Sequence, residues 1–261
     1  MAGRGAPMPE MQSAETLELP EPGMPTIAEI LGRRLALQRL ADRVLLRAAA
    51  LLARLGVDEI DGLRHIAPAN DPFILVANHS SRREVVYLPA LLALLRGGRV
   101  VHFLADWNFR LFPGVGFLFD RGGTITVSRK PARPKVLDRF RSRHADPIGP
   151  LRRARSLLRD GRAIGLFPEG TVNRSGTELL PGDSGAAWLS LATGTPVVPV
   201  GIRVRGGDGA GRKVLSFAIG APIAPAPRRS ALDRPAVADW HAAIMGEIAR
   251  LSGKTWLKPD R

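Results

Sequence analysis

Apolar positions along the chain follow two rhythms. Short continuous runs, Phe73–Ala77, Arg99–Leu104, Ala163–Phe167, Pro196–Val204 and Lys213–Ile219, have the length and β-branching of buried strands. A shorter alternation over Thr124–Ser128 predicts one more strand and delivers Arg129 at its end. Between these runs, apolar residues recur at helical spacing over Ile27–Leu55, Glu84–Leu95, Leu151–Leu158, Gly185–Ala192 and Val237–Leu251. Gly97-Gly98 and the turn at Asp160-Gly161 end two of these helices. Strands alternating with helices predict an α/β fold: a single domain with a mostly parallel central sheet flanked by helices, preceded by an amphipathic N-terminal helix. The Gly-rich stretch from Gly206 to Gly211 reads as a flexible turn, and the Ala/Pro-rich residues 221–235 as a linker. Trp107–Phe117 is aromatic and Gly-bearing, between strand and helix in character. No internal repeat is evident.

The same pattern divides the chain. Residues 1–25 are rich in Pro, Gly and Glu without apolar periodicity and read as a disordered tail. Residues 26–56 form the basic amphipathic helix, and residues 57–261 the main domain. Projected at about 100° per residue, Arg39, Arg43, Arg47 and Arg54 fall on one side of that helix. Leu45, Ala48, Leu51, Leu52 and Leu55 fill the other. Such a helix either packs on its own domain or lies in a lipid interface with its arginines toward phosphates; the two can hold together.

Composition narrows the setting. Among 261 residues 45% are hydrophobic, enough for one sizeable core. The formal net charge of +14 implies attraction to polyanions, satisfied by nucleic acid or by anionic lipid. No helix-turn-helix, zinc or stacking-aromatic signature supports nucleic acid, so none is expected as a partner. There is no cysteine, which excludes disulfides and thiolate metal sites. The carboxylates and histidines lack ligand spacing, and neither metal nor cofactor is expected. No run of about 20 apolar residues suggests a spanning helix, and the start lacks the apolar core of a signal peptide. The expected location is cytoplasmic, peripheral on the inner face of the membrane.

Candidate chemistry begins where the first buried strand runs out. After Ile74-Leu-Val-Ala77 come Asn78-His79, small polar residues, two arginines and Glu84, which opens the next helix. A histidine with a carboxylate in reach can be a general base whose ring is oriented by its partner. On spacing alone, a solvated turn with an ordinary ion pair is the favoured reading. The second stretch is Gly165–Gly176, read G-L-F-P-E-G-T-V-N-R-S-G. There is no G-x-S-x-G, so no nucleophile elbow stands out.

Taken together, four ordered motifs resemble the glycerolipid acyltransferase family, typified by 1-acylglycerol-3-phosphate acyltransferases. That family carries N-H-x-x-x-x-D, G-x-x-x-V-x-R, F-P-E-G-T and an apolar segment around V-P-V. Here they stand as Asn78-His79…Glu84, Gly123…Val127-Ser-Arg129, Phe167-Pro-Glu169-Gly170-Thr171 and Val197-Val-Pro199-Val200. The resemblance covers roughly residues 70 to 205. It implies O-acyl transfer from acyl-CoA or acyl-carrier protein to a lysophospholipid-type hydroxyl, without an acyl-enzyme. His79 would be the base and Glu84 its orienting carboxylate. Asn78, Arg129, Glu169, Gly170, Thr171 and Arg174 would bind substrate, the arginines gripping phosphate in a two-pronged way. Glu169 would organise arginines or acceptor, and Gly170-Thr171 could donate backbone N–H groups to phosphate or oxyanion. The aromatic segment 107–117 would lie beside the acyl groove.

Three departures qualify the match. Glu84 replaces the family's Asp and is one methylene longer; either the backbone retreats to restore the hydrogen bond or the dyad is weakened, and turnover kept or raised in Glu84→Asp would establish the dyad. Val172 stands where the family often has Arg, which favours a phosphate-free lysolipid acceptor as the alternative. Arg121 is a rival for the phosphate role. A lipid-surface binding protein with a weakened site is the reading from a different class. The basic connector 130–149 is either solvated or in contact with an anionic surface.

Overall fold

Ile74–Ala77 contains no polar residue, and all four side chains are buried; only the middle of a covered sheet offers that environment. The fold was obtained as a computed structural model, which describes residues 23–36, 39–111, 115–132, 135–141, 146–206, 213–226 and 233–258. Residues 1–22 of the tail expected over 1–25, most of the turn after Gly206 and the middle of the 221–235 linker lie outside these residues. In chain order the elements are α1 (Ile27–Gly32), α2 (Leu40–Arg54), β1 (Val57–Asp61), β2 (Ile74–Ala77), α3 (Glu84–Leu95), β3 (His102–Asp106), α4 (Val115–Arg121), β4 (Ile125–Val127), α5 (Pro150–Arg159), β5 (Ile164–Leu166), α6 (Gly185–Thr193), β6 (Val197–Arg205), β7 (Val214–Ile219) and α7 (Arg234–Ser252).

The strands make one sheet of seven in the order β1-β7-β6-β2-β5-β3-β4. β2 sits between β5 and β6, parallel to both, with Leu75 opposite Gly165 and Val198. Because successive strand residues point to opposite faces, Phe73, Leu75 and Ala77 join one core with Leu88, Leu91 and Val198. Ile74 and Val76 join a second with Val197, Leu189 and Ile248. Helices α1–α3 cover the first face and α5–α7 the second, the expected mostly parallel α/β architecture. The exception is β6–β7, an antiparallel pair that turns the far edge of the sheet.

Two expectations change. The single helix over Ile27–Leu55 is two helices. α1 starts with a capping box between Thr26 and Glu29, and Arg33 leaves it in an extended conformation. Arg33 Nη1 then donates to the Leu95 carbonyl at 2.9 Å, and the Ala36 N–H to that of Gly97 at 2.8 Å. These bonds satisfy the C-terminal end of α3 and bury Leu35, which a continued helix would forgo. Strand β1 was not expected, because Val57-Asp-Glu-Ile-Asp carries three acids. It is an edge strand, where exposed charges are tolerated. Asp58 and Glu59 pair with Arg205 at 3.6 and 3.5 Å.

Candidate active site

Parallel neighbours end on the same edge of a sheet, so the loops after β2 and β5 must meet. The first delivers Asn78 and His79, the second Phe167, Pro168 and Glu169. Asn78 is fully buried; its Oδ1 accepts from Ile202 N at 2.6 Å and its Nδ2 donates to Ile202 O at 2.9 Å and Ser80 Oγ at 2.8 Å. Sequence reasoning assigned it to substrate, but both its donors are committed to protein. It pins the end of β2 to β6 and so aims the next residue.

That residue is His79, only 7% exposed. Its Nδ1 lies 2.9 Å from Glu84 Oε1, and its ring stacks on Phe167 at 4.8 Å between centroids. Gly165 contributes indirectly: a Cβ there would meet the Phe103 ring at 2.7 Å, and Phe103 in turn stacks on Phe167 at 5.7 Å. Glu84 is fully buried at the start of α3, where unpaired N–H groups favour a negative charge. Its Oε1 also accepts from Ser81 N at 2.8 Å, while Oε2 is buried with no hydrogen-bond partner. The glutamate therefore reaches the imidazole from the first turn of the helix, and a shorter carboxylate would fall back by one bond. Of the two alternatives for the longer side chain, the restored hydrogen bond is the one observed.

Glu169 organises backbone rather than arginines. Its Oε1 accepts from His79 N at 2.8 Å; its Oε2 accepts from Asn173 Nδ2 at 2.7 Å and Leu180 N at 2.9 Å. Asn173 N donates back to His79 O at 2.7 Å. The histidine is thus held by both its own peptide groups and by Nδ1. An imidazole so held keeps one tautomer, with Nδ1–H on the carboxylate and Nε2 left to exchange a proton.

His79 lines a cavity of about 590 Å³. Leu45, Leu46 and Ala49 of α2, Val86 and Pro89 of α3, and Phe103, Phe109 and Phe119 give it an apolar wall. This is a ligand-sized, largely apolar space of the kind that takes a hydrocarbon. The aromatic segment expected beside the groove contributes through Phe109.

The cations are placed less tightly. Arg129 lines the cavity but is 72% exposed, 3.8 Å from Asp183 Oδ2. Arg141 from the basic connector fixes the backbone there, donating to Ser128 O at 2.7 Å and Arg129 O at 2.9 Å. Arg174 and Thr171 are exposed and lie outside the cavity lining. Gly170 lines it in a left-handed turn (φ 60°), but its N–H donates to Phe167 O at 3.1 Å. That hydrogen bond removes it as the expected oxyanion or phosphate donor. The rival Arg121 lines the same cavity, where it is paired with Asp42 of α2, another lining residue, and stacked 4.7 Å from the Phe117 centroid.

Other residues here carried no sequence signal. Asn173 sits two residues past the motif threonine, Lys130 follows Arg129 and donates to Gly170 O, and Lys254 arrives from beyond α7. Only Asn173 and Lys130 could have been suspected, from adjacency to a motif.

Similarity to known proteins agrees with this geometry. A family model described as Acyltransferase matches residues 59–203, more than half of the chain. The chain belongs to the Acyltransferase family. Among curated relatives, a chloroplastic 1-acyl-sn-glycerol-3-phosphate acyltransferase from Brassica napus is 27% identical over 142 residues, 54% of this chain and 36% of its own length. The 1-acyl-sn-glycerol-3-phosphate acyltransferase of Borreliella burgdorferi is 44% identical over 134 residues, 51% of this chain and 46% of its own. The chain thus spans less than half the length of these relatives. Among solved structures, the family member PlsC from Thermotoga maritima, a 1-acyl-sn-glycerophosphate (LPA) acyltransferase, shares the fold. Its TM-score is 0.53 at 20% identity, over 87% of this chain and 88% of that one.

Proposed function

We propose that this protein is an O-acyltransferase that moves a fatty acyl group from acyl-CoA or acyl-carrier protein to the hydroxyl of a lysophospholipid-type acceptor such as lysophosphatidic acid. The observation that carries this reading is the His79–Glu84 pair, 2.9 Å apart, with His79 lining a largely apolar cavity. In the proposed step Nε2 of His79 takes the acceptor hydroxyl proton as its oxygen attacks the thioester carbonyl. Glu84 stabilises the imidazolium that forms. The C–S bond then breaks, and the imidazolium returns its proton to the leaving thiolate. The acyl chain occupies the cavity; Arg129 at its edge takes the acceptor phosphate. Arg174 and Thr171 are assigned to outer contacts with the head group.

The proposed setting is the cytoplasmic face of a membrane. No helix among the described residues is long and apolar enough to cross one. Ile27, Leu31, Leu40, Val44, Leu52 and Leu55 on α1 and α2 are exposed, an apolar surface suited to a lipid interface. Not all the helix arginines remain for lipid phosphate, since Arg47 donates to Arg33 O and Arg54 to Pro25 O. The same reaction on a phosphate-free lysolipid is the second reading, favoured by the carboxylate of Asp183 beside Arg129.

The test is acyl transfer by the purified protein from labelled acyl-CoA or acyl-carrier protein to lysophosphatidic acid and to phosphate-free lysolipids, with His79→Ala alongside. Turnover that disappears in His79→Ala supports the proposal, and the preferred acceptor decides between the two readings. Turnover with no acceptor, or undiminished in the variant, overturns it.

A further inference from the structure

Beyond α7 the chain turns sharply at Gly253 (φ 71°) and runs alongside the segment that follows the F-P-E-G-T turn. Thr255 N donates to Thr177 O at 2.8 Å, Leu179 N to Thr255 O at 2.9 Å, and Trp256 Nε1 to Pro181 O at 3.2 Å. His241 of α7 joins the same clip, its Nε2 3.0 Å from Pro181 O and its ring edge-on to Trp256. Three main-chain and indole hydrogen bonds thus hold residue 254 in a fixed place.

The side chain that this clip presents is Lys254. Its Nζ donates to Ser175 O at 2.7 Å and to Ser80 Oγ at 3.2 Å. Ser80 follows His79 directly and also accepts from Asn78 Nδ2 at 2.8 Å; Ser175 N donates to Asn173 Oδ1 at 2.9 Å. One ammonium therefore ties the histidine loop to the loop that carries Glu169 and Asn173. It also sits within electrostatic reach of two buried carboxylates, Glu169 and Glu84. Burial holds the Lys254 ammonium below the usual lysine range, while Glu169 and then Glu84 pull the other way. A cation that is partly desolvated and not paired directly to either acid is an unusual use of a lysine on a surface otherwise rich in arginine.

We infer that Lys254 is a positioning residue of the active site, bridging the two loops and offsetting the charge of Glu84 and Glu169 around His79. This rests on the acyltransferase reading above. The charged groups bonded to His79 or lining its cavity are Glu84 from α3, Glu169 after β5, Asp42 of α2, Asp106 of β3, Arg121 of α4, Arg129 and Lys130 after β4, and Asp183 before α6, with Lys254 behind Glu84 and Glu169. With Lys254 neutral, the two buried carboxylates hold an imidazolium more firmly. A base that must be neutral to act then requires a higher pH.

The experiment compares wild type, Lys254→Met and Lys254→Arg in two measurements. The first is the pH profile of kcat/KM with a long-chain acyl-CoA and lysophosphatidic acid. The second is the pH titration of the His79 ring by NMR, assigned with His79→Gln, which needs no turnover. In Lys254→Met both midpoints are expected to move up, with kcat at pH 7 lower by about threefold to tenfold and KM for acyl-CoA unchanged. Lys254→Arg should restore the wild-type midpoints. Midpoints alike in all three proteins overturn the inference, as does an Arg variant no better than Met. If wild type shows no turnover while the His79 titration still moves as stated, the acyltransferase reading fails and the placement of Lys254 stands. If Lys254→Met does not fold, the comparison of Lys254→Arg with wild type decides: a displaced His79 midpoint overturns the charge argument.

Discussion

The two sides of the site are built differently. On the base side, His79, Glu84, Asn78 and Glu169 are buried, and each is held by two or more hydrogen bonds within the protein. On the cation side, Arg129 and Arg174 are exposed, and the ion pair of Arg129 with Asp183 spans 3.8 Å between side chains both more than two-thirds exposed. A buried polar group without partners is costly, so the base side is held as a network in which the buried atoms are bonded to one another, Glu84 Oε2 excepted. An exposed guanidinium is solvated and its ion pairs contribute little. On the proposed function, the difference teaches that a proton-transfer geometry would be set before substrate arrives, while a grip on the acceptor would form with it.

The largest effect expected from breaking this contrast is at the base itself. His79→Ala should reduce kcat/KM on the order of a thousandfold, with the far-UV circular dichroism and melting temperature close to wild type. Glu84→Asp comes next. Withdrawing the carboxylate from Nδ1 should lower kcat by about tenfold to a hundredfold with KM little changed, measured by steady-state kinetics; wild-type kcat in this variant would show that the helix start can shift.

Glu169→Gln sharpens the same side through stability. An amide in place of the carboxylate turns one acceptor toward its donors into another donor, leaving a buried N–H unmatched. A loss of about 1–3 kcal/mol is expected in urea unfolding, together with reduced turnover. The smallest effects belong to the cation side. Arg129→Ala should raise KM for lysophosphatidic acid by about threefold to tenfold and leave phosphate-free lysolipids unaffected. Arg174→Ala should change either by less than about twofold. Equal losses in the two variants would collapse the distinction between them.

How much of this was legible in sequence follows from the range of the forces involved. Helix α3, predicted as Glu84–Leu95, and the buried runs of β2, β5, β6 and β7 were readable because apolar periodicity and terminating glycines are local signals. Edge strand β1 was not, because its acids are balanced by Arg205, far along the chain. The break after α1 was not, because the bonds that favour it come from the end of α3.

At the site, the sequence by itself determined the chemistry available: a histidine at a strand end, a carboxylate at the next helix start, and F-P-E-G-T after a second strand. Order and residue type suffice for that, since parallel strands bring their ends to one edge whatever lies between them. The tertiary structure alone decided what each polar group is committed to. It turned Asn78 and Glu169 into supports for His79, occupied the Gly170 N–H, locked Arg121 to Asp42, and brought Lys254 from beyond the last helix. Hydrogen-bond partners are chosen by proximity in space under the requirement that buried polar groups be satisfied, and no local pattern of residues encodes which distant donor will arrive.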